Sequence, residues 1–236
     1  MNIQKRIIKN LFPNGKGKAL TVSFDDMVLQ DKRLLEIFNR NGIKGTFNLN
    51  SGWFGKSDTI KRSNIELDHS HFGVGEIVEI YQGHEVAAHT VNHPGLDKLS
   101  DEMIITEVME DRHALEQLFH YPVTGFAYPN GAFDERIISV LARTGLVYAR
   151  TIKSHLSFNI PEQYLEWHPT CPQRYADIES LGERFASSPP ISEELQLFYI
   201  WGHSYEMDID NSWDRISSFY EKIGGREDIW YAANID

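Results

Sequence analysis

The stretch "LTVSFDDM" (20–27) runs an apolar alternation straight into two adjacent carboxylates, Asp25 and Asp26. A β-rich run of this length reads as a core strand, so the carboxylates fall where the strand ends. Neighbouring carboxylates repel each other and resist burial, and a metal ion, a shared proton or a solvated turn would each relieve the strain. Working outward, the same arrangement recurs. "KALTVSF" (18–24) is a predicted strand and "DKRLLEIFNRNG" (31–42) a helix stopped by Gly42. Strand "KGTFNLN" (44–50), short helix "GEIVEIYQG" (75–83) and strand "HEVAAH" (84–89) follow. A long amphipathic helix is predicted over 100–119 with Ser100 as its N-cap. Strand 123–128, helix 134–145, strand 146–150, a mixed region, strand 195–202, helix 213–225 and strand 228–234 complete the chain. Repeated strand and helix imply an α/β fold with a parallel sheet covered by helices.

Composition fits that class. The chain has 236 residues, 41% hydrophobic and 24% charged, enough for one sizeable core, and a single domain over 1–236 is expected. A net charge of −11 argues against a general affinity for nucleic acid or an anionic membrane. No segment is long and apolar enough for membrane insertion. Cys171 is the only cysteine, so no disulfide can form within the chain, and it reads as a small buried residue. "MNIQKRIIKNLF" (1–12) lacks the apolar run and cleavage site of a secretory signal, which makes a cytoplasmic location the expectation.

The chemically unusual residues gather at strand ends. Asp25 and Asp26 follow the first strand, His89 the third, the Pro129 turn the fourth, and His203 the strand before the last helix. In barrel enzymes this face of the sheet carries the active site, so residues far apart in sequence converge there. "HTVNH" places His89 and His93 four apart, and a helical turn would put both imidazoles on one side. Two histidines and one carboxylate form a common catalytic metal set with room for water or substrate. One Asp of the pair would then ligate the cation, and the other would take a proton from the activated water. His203, in "IWGHSYE", has the right chemistry to protonate a leaving group, whereas His84 opens its strand and reads as structural.

"SFDD", "HTVNH", "FAYPNG" and "WGHSYE", in this order, resemble the successive motifs of the polysaccharide deacetylase (NodB homology, carbohydrate esterase family 4) domain, from about Lys18 to Asn234. The resemblance implies a distorted (β/α) barrel and hydrolysis of N-acetyl or O-acetyl groups on an acetylated carbohydrate with help from a divalent metal. It implies Asp25 as general base, Asp26, His89 and His93 as metal ligands, and His203 as general acid. The backbone near Pro129 and Asn130 would hold the oxyanion. Zinc is the expected cation, with cobalt or nickel suiting the same ligands. Two departures stand out. The family's third motif usually has an Arg where this chain has Ala127, and Arg150 at the end of the next strand is the candidate substitute for orienting the base. The Asp-Trp motif that tunes the family's acid histidine is not legible either; "EWHPTC" (166–171) lies in its region without matching it.

Trp53 and Tyr205 lie on the active-site side and are candidates for lining a sugar groove, while Trp167, Trp201 and Trp213 are more naturally core. The acidic run "EMDIDN" (206–211) lacks the features of a calcium loop and reads as solvated. Two other functions fit parts of the pattern. A non-haem iron oxygenase also uses two histidines and a carboxylate, but has no need of a second Asp or an acid histidine. A non-catalytic carbohydrate-binding module on this fold would have no reason to keep all five polar candidates.

Overall fold

The computed structural model describes residues 10–62, 65–192 and 194–236. The beginning of "MNIQKRIIKNLF", on which the leader expectation rests, lies outside them. Seven strands form a curled, parallel sheet in the order β7-β6-β5-β2-β1-β9-β8, with an eighth, β10, also pairing with β1. They are β1 (Lys18–Asp25), β2 (Gly45–Leu49), β5 (Glu85–Ala88), β6 (Gly125–Ala127), β7 (Tyr148–Arg150), β8 (Cys171–Pro172), β9 (Gln196–Gly202) and β10 (Ile229–Tyr231). Two short antiparallel strands, β3 (Thr59–Arg62) and β4 (Ile65–Asp68), make a separate hairpin that the sequence reading missed. The helices are α1 (Asp31–Arg40), α2 (Val74–Ile80), α3 (Asp101–Phe119), α4 (Glu135–Leu141), α5 (Ile178–Ser187), α6 (Glu206–Ile209) and α7 (Trp213–Ile223).

Strand β1 is buried along its whole length and divides two environments. Leu20, Val22 and Phe24 pack outward in one cluster with Leu34 and Phe38 of α1 and Tyr220 of α7. Ala19, Thr21, Ser23 and Asp25 alternate onto the opposite, inner face, as strand geometry requires. There Ala19, Ala87, Tyr148, Trp167, Leu197 and Tyr199 form a second cluster. Gly125 is needed for this packing, because a Cβ there would sit 2.2 Å from the Tyr148 hydroxyl.

The edges of the sheet are joined by an irregular stretch. Trp167 exchanges backbone hydrogen bonds with β7, donating to the Ala149 carbonyl at 3.0 Å and accepting from the Thr151 N–H at 2.9 Å. Three residues later Thr170 donates to the Tyr199 carbonyl of β9 at 2.8 Å. This bridge, in place of a full strand, is what distorts the barrel. All the strand ends named above open on the same side, as parallel order dictates.

The long helix α3 is capped as expected: the Ser100 side chain accepts from the Met103 N–H. Gly42 follows α1 at a φ of +65°, where a Cβ would be strained. Three expectations change. The mixed region contains α5, whose buried stripe of Ile178, Leu181 and Phe185 is short and interrupted by Gly182. "EMDIDN" is a helical turn, with Met207 fully buried. The loop that carries His89 and His93 is not helical, since Thr90 and His93 have φ values of +70° and +57°. No described helix is long and apolar enough to cross a membrane.

Candidate active site

Asp25 is the last residue of β1, and its carboxylate is held from two sides. Arg150 Nη2, from the end of β7, lies 2.5 Å from Asp25 Oδ2, and the Asn48 amide of β2 donates to Oδ1 at 2.8 Å. Arg150 is fully buried, and its guanidinium stacks over Trp201 at 4.7 Å. Ala127 and Arg150 are register partners on adjacent strands, which explains how an arginine one strand further on reaches Asp25. Burial pushes the Asp25 carboxyl up, but the charges of Arg150, His89 and His203 and the Asn48 hydrogen bond outweigh it and hold the group below its ordinary value.

Asp26 turns away at a φ of +80°, in a backbone region costly for a residue with a side chain. Four of the nine such non-glycine residues among those described, Asp26, Met27, Thr90 and His93, lie in the two loops that meet here. One oxygen of Asp26, Oδ1, faces His89 Nε2 at 3.8 Å and His93 Nε2 at 3.9 Å. The other, Oδ2, faces His203 Nε2 at 3.8 Å and His69 Nε2 at 4.0 Å. Asp26, His89 and His93 offer ligand atoms all within 4.8 Å of one another. Asp26 Oδ1 and His89 Nε2 are both buried without a hydrogen-bond partner.

The orientation of His89 is fixed from behind. Its Nδ1 lies 2.8 Å from the Ala127 carbonyl, which can only accept, so Nδ1 carries the proton and Nε2 presents its lone pair toward Asp26. Burial pushes its pKa down to about 4, which keeps the ring neutral. Its backbone N–H donates to Asp111 Oδ2 at 2.9 Å, while Ser51 N–H donates to Asp111 Oδ1 at 2.7 Å. Thus a buried carboxylate on α3 ties the His89 strand end to the turn before Trp53. In that turn Gly52 donates to the Val91 carbonyl at 3.0 Å, an approach that a Cβ would block at 2.4 Å.

His203 completes the cluster, with Nε2 3.8 Å from both Asp25 Oδ2 and Asp26 Oδ2. Burial lowers its pKa, but Glu206 and the two aspartates outweigh that and carry it up to about 9. Trp53 and Tyr205 lie in the wall of the site. The Trp53 ring is 5.2 Å from that of His93, and Tyr205, buried, is 5.2 Å from that of His203. The 3-10 turn Pro129–Gly131 follows β6 after Tyr128, close in sequence to the Ala127 carbonyl that orients His89. Its Asn130 has a φ of +55° and is exposed.

The other residues singled out in the sequence go elsewhere. His84 Nδ1 accepts from the Gly45 N–H at 3.1 Å and Nε2 faces Asn39 Oδ1 at 3.0 Å, a structural role. Trp167 and Trp213 are core, and burial pushes the Cys171 thiol up to about 12. Sequence reasoning missed His69 and His71, which the β3–β4 hairpin carries into the wall, each 7% exposed. The His69 ring is 4.8 Å from Tyr205, and His71 is 5.0 Å from Trp53. The repeat in "DHSHF" was the available signal.

The profile of the family described as Polysaccharide deacetylase matches residues 13–149, which leaves Arg150 just beyond it and His203 well outside it. An uncharacterized Bacillus subtilis (strain 168) protein, YlxY, is 27% identical over 111 residues, 47% of this chain and 30% of that protein. The chain therefore spans under a third of that relative's length. A putative polysaccharide deacetylase from Mycobacterium smegmatis superposes with a TM-score of 0.63 at 15% identity, over 94% of this chain and 89% of the other. A family 4 carbohydrate esterase from Streptomyces lividans, solved with acetate, gives 0.56 at 14% identity over 91% and 92%. A CE4 family pseudoenzyme from Bacillus anthracis gives 0.54 at 16% over 87% and 60%. These likenesses establish the shared barrel. With a profile match across more than half of its length, the chain belongs to the polysaccharide deacetylase family.

Proposed function

We propose that this protein is a metal-dependent hydrolase that removes acetyl groups from an N-acetylated, or alternatively O-acetylated, sugar or polysaccharide. The observation that carries the reading is the pairing of two unlike carboxylates at one strand end. Asp25 is locked to a buried arginine, while Asp26 points an unpartnered oxygen at two imidazole nitrogens. Orphaned buried acceptors of this kind are costly unless something binds them, and a histidine pair with a carboxylate is a donor set suited to a divalent cation. Asp26, His89 and His93 would hold it, with zinc favoured and cobalt or nickel acceptable. When bound, the cation supplies Lewis acidity toward the acetyl carbonyl and lowers the pKa of water beside it.

The remaining steps belong to the chain's own groups. Asp25, kept ionised by Arg150, accepts the proton of the attacking water. The Asn130 N–H, which makes no hydrogen bond among the described residues, would donate to the carbonyl oxygen as negative charge develops. His203 gives its Nε2 proton to the leaving nitrogen, and acetate and the free amine depart. Trp53 and Tyr205 form the wall against the sugar. An iron oxygenase would leave the second aspartate and His203 without a task, and a binding module would leave the Arg150–Asp25 pair without one. A screen of N- and O-acetylated sugars and oligomers, with added cation and after chelation, tests the reading. Acetate release that depends on the cation is expected, and none with any cation would remove it.

A further inference from the structure

We propose that Glu206 is the positioning carboxylate of His203, replacing a partner that the sequence around 166–171 does not supply. The inference rests on the acid role given to His203 above. The chain leaving this histidine is pinned: the Gln173 amide donates to the His203 carbonyl at 2.8 Å, and the Ser204 hydroxyl donates to the buried Asp31 at 2.6 Å. What stays free is rotation of the ring. Its Nε2 edge looks toward Asp25 and Asp26. Its Nδ1 edge is buried with no partner within hydrogen-bonding distance, and Glu206 Oε1, at 3.6 Å, is the acceptor that faces it. A small turn of the ring closes that gap.

Glu206 is itself placed with some care. It opens α6 just three residues after His203, and its backbone N–H donates to the His203 carbonyl at 3.2 Å. On its outer side Arg174 Nη1 lies 3.3 Å from Oε1, and Arg174 Nε is anchored to Asp210 Oδ2 at 2.6 Å. Burial pushes the Glu206 carboxyl up, but His203 and then Arg174 outweigh it and hold the group below the ordinary glutamate value. An ionised acceptor on Nδ1 fixes the ring so that the proton to be delivered sits on Nε2, facing the site. As the C–N bond breaks, its electron pair goes to nitrogen, which takes that proton. His203 is left neutral, with its Nδ1–H still bonded to Glu206.

Two measurements on the full chain test this. In the metal-free protein with 15N-labelled histidines, His203 should show a low-field Nδ1–H resonance, identified by its loss in His203→Gln. In Glu206→Gln that resonance should move upfield, and in Glu206→Asp it should move back. In kinetics, Glu206→Gln should lower kcat on an N-acetylated sugar about 10- to 100-fold with KM little changed. On an aryl acetate, whose phenolate leaves without a proton, the loss should be much smaller. An unmoved resonance, or equal losses on amide and aryl ester, overturns the proposal. If the unmodified protein hydrolyses neither substrate, the functional reading fails, and the resonance still decides the role of Glu206.

Discussion

Arg150 reaches Asp25 from the end of β7, 125 residues further along the chain, and does so from the position paired with Ala127. The cation that the family's third motif usually carries at Ala127 is thus supplied one strand over. The guanidinium arrives at the same face of the barrel because the two strands are parallel and in register.

Removing that cation should be visible in both pH dependence and stability. Arg150→Met takes away the charge that favours ionised Asp25, so the acidic limb of the kcat/KM profile should move to higher pH by about one to three pH units. A buried carboxylate left unpaired should also cost about 3–5 kcal/mol in denaturant unfolding. An unchanged pH profile would make Arg150 a bystander.

Asp111 touches no proposed ligand through a side chain, yet it accepts from the backbone of both His89 and Ser51. Asp111→Ala leaves the Ser51 N–H without its acceptor and leaves the His89 N–H with the Leu49 carbonyl alone, at 3.0 Å. Metal affinity, followed by calorimetry, should weaken about 10- to 100-fold, the usual effect of losing a supporting partner. Asp111→Asn keeps one acceptor and should lose less.

At the opposite end of the barrel interior Glu85 accepts from the Thr46 and Tyr148 hydroxyls and the Ile235 N–H. Burial pushes its carboxyl up to about 7. The folded chain therefore holds this proton more tightly than the unfolded one, a contribution fully present below about pH 4.5 and lost as pH rises through 7. The stability of the unmodified protein relative to Glu85→Gln should fall across that window, by up to roughly 3 kcal/mol. Parallel stability curves from pH 4.5 to 7 would contradict the assignment.

Much of the site was legible because parallel order sends every strand end to one face. Asp25, Asp26, His89 and His203 could be gathered from strand ends alone, and Arg150 from the gap at Ala127. Where chain geometry leaves the strand pattern, the sequence spoke less clearly. The i, i+4 spacing of His89 and His93 suggests a helical turn, but left-handed residues at Thr90 and His93 bring the imidazoles together instead. The strands of the β3–β4 hairpin are four residues each, too short for an alternation to register, so His69 and His71 went unplaced. Glu206 lay inside an acidic run whose composition resembles a solvated loop, and only the fold turns its carboxylate toward His203.

The division of labour within "FDD" is the centre of the account, and metal content read beside activity tests it most directly. Elemental analysis and acetate release would be measured on Asp25→Asn and Asp26→Asn. Asp25→Asn should retain the cation while kcat falls by roughly two to four orders of magnitude, the usual worth of a positioned base. Asp26→Asn should lose the cation together with activity, and excess metal should restore part of the activity in this variant alone. Equal loss of metal in both variants, or rescue of Asp25→Asn by added metal, would mean that both carboxylates are ligands and would contradict the account.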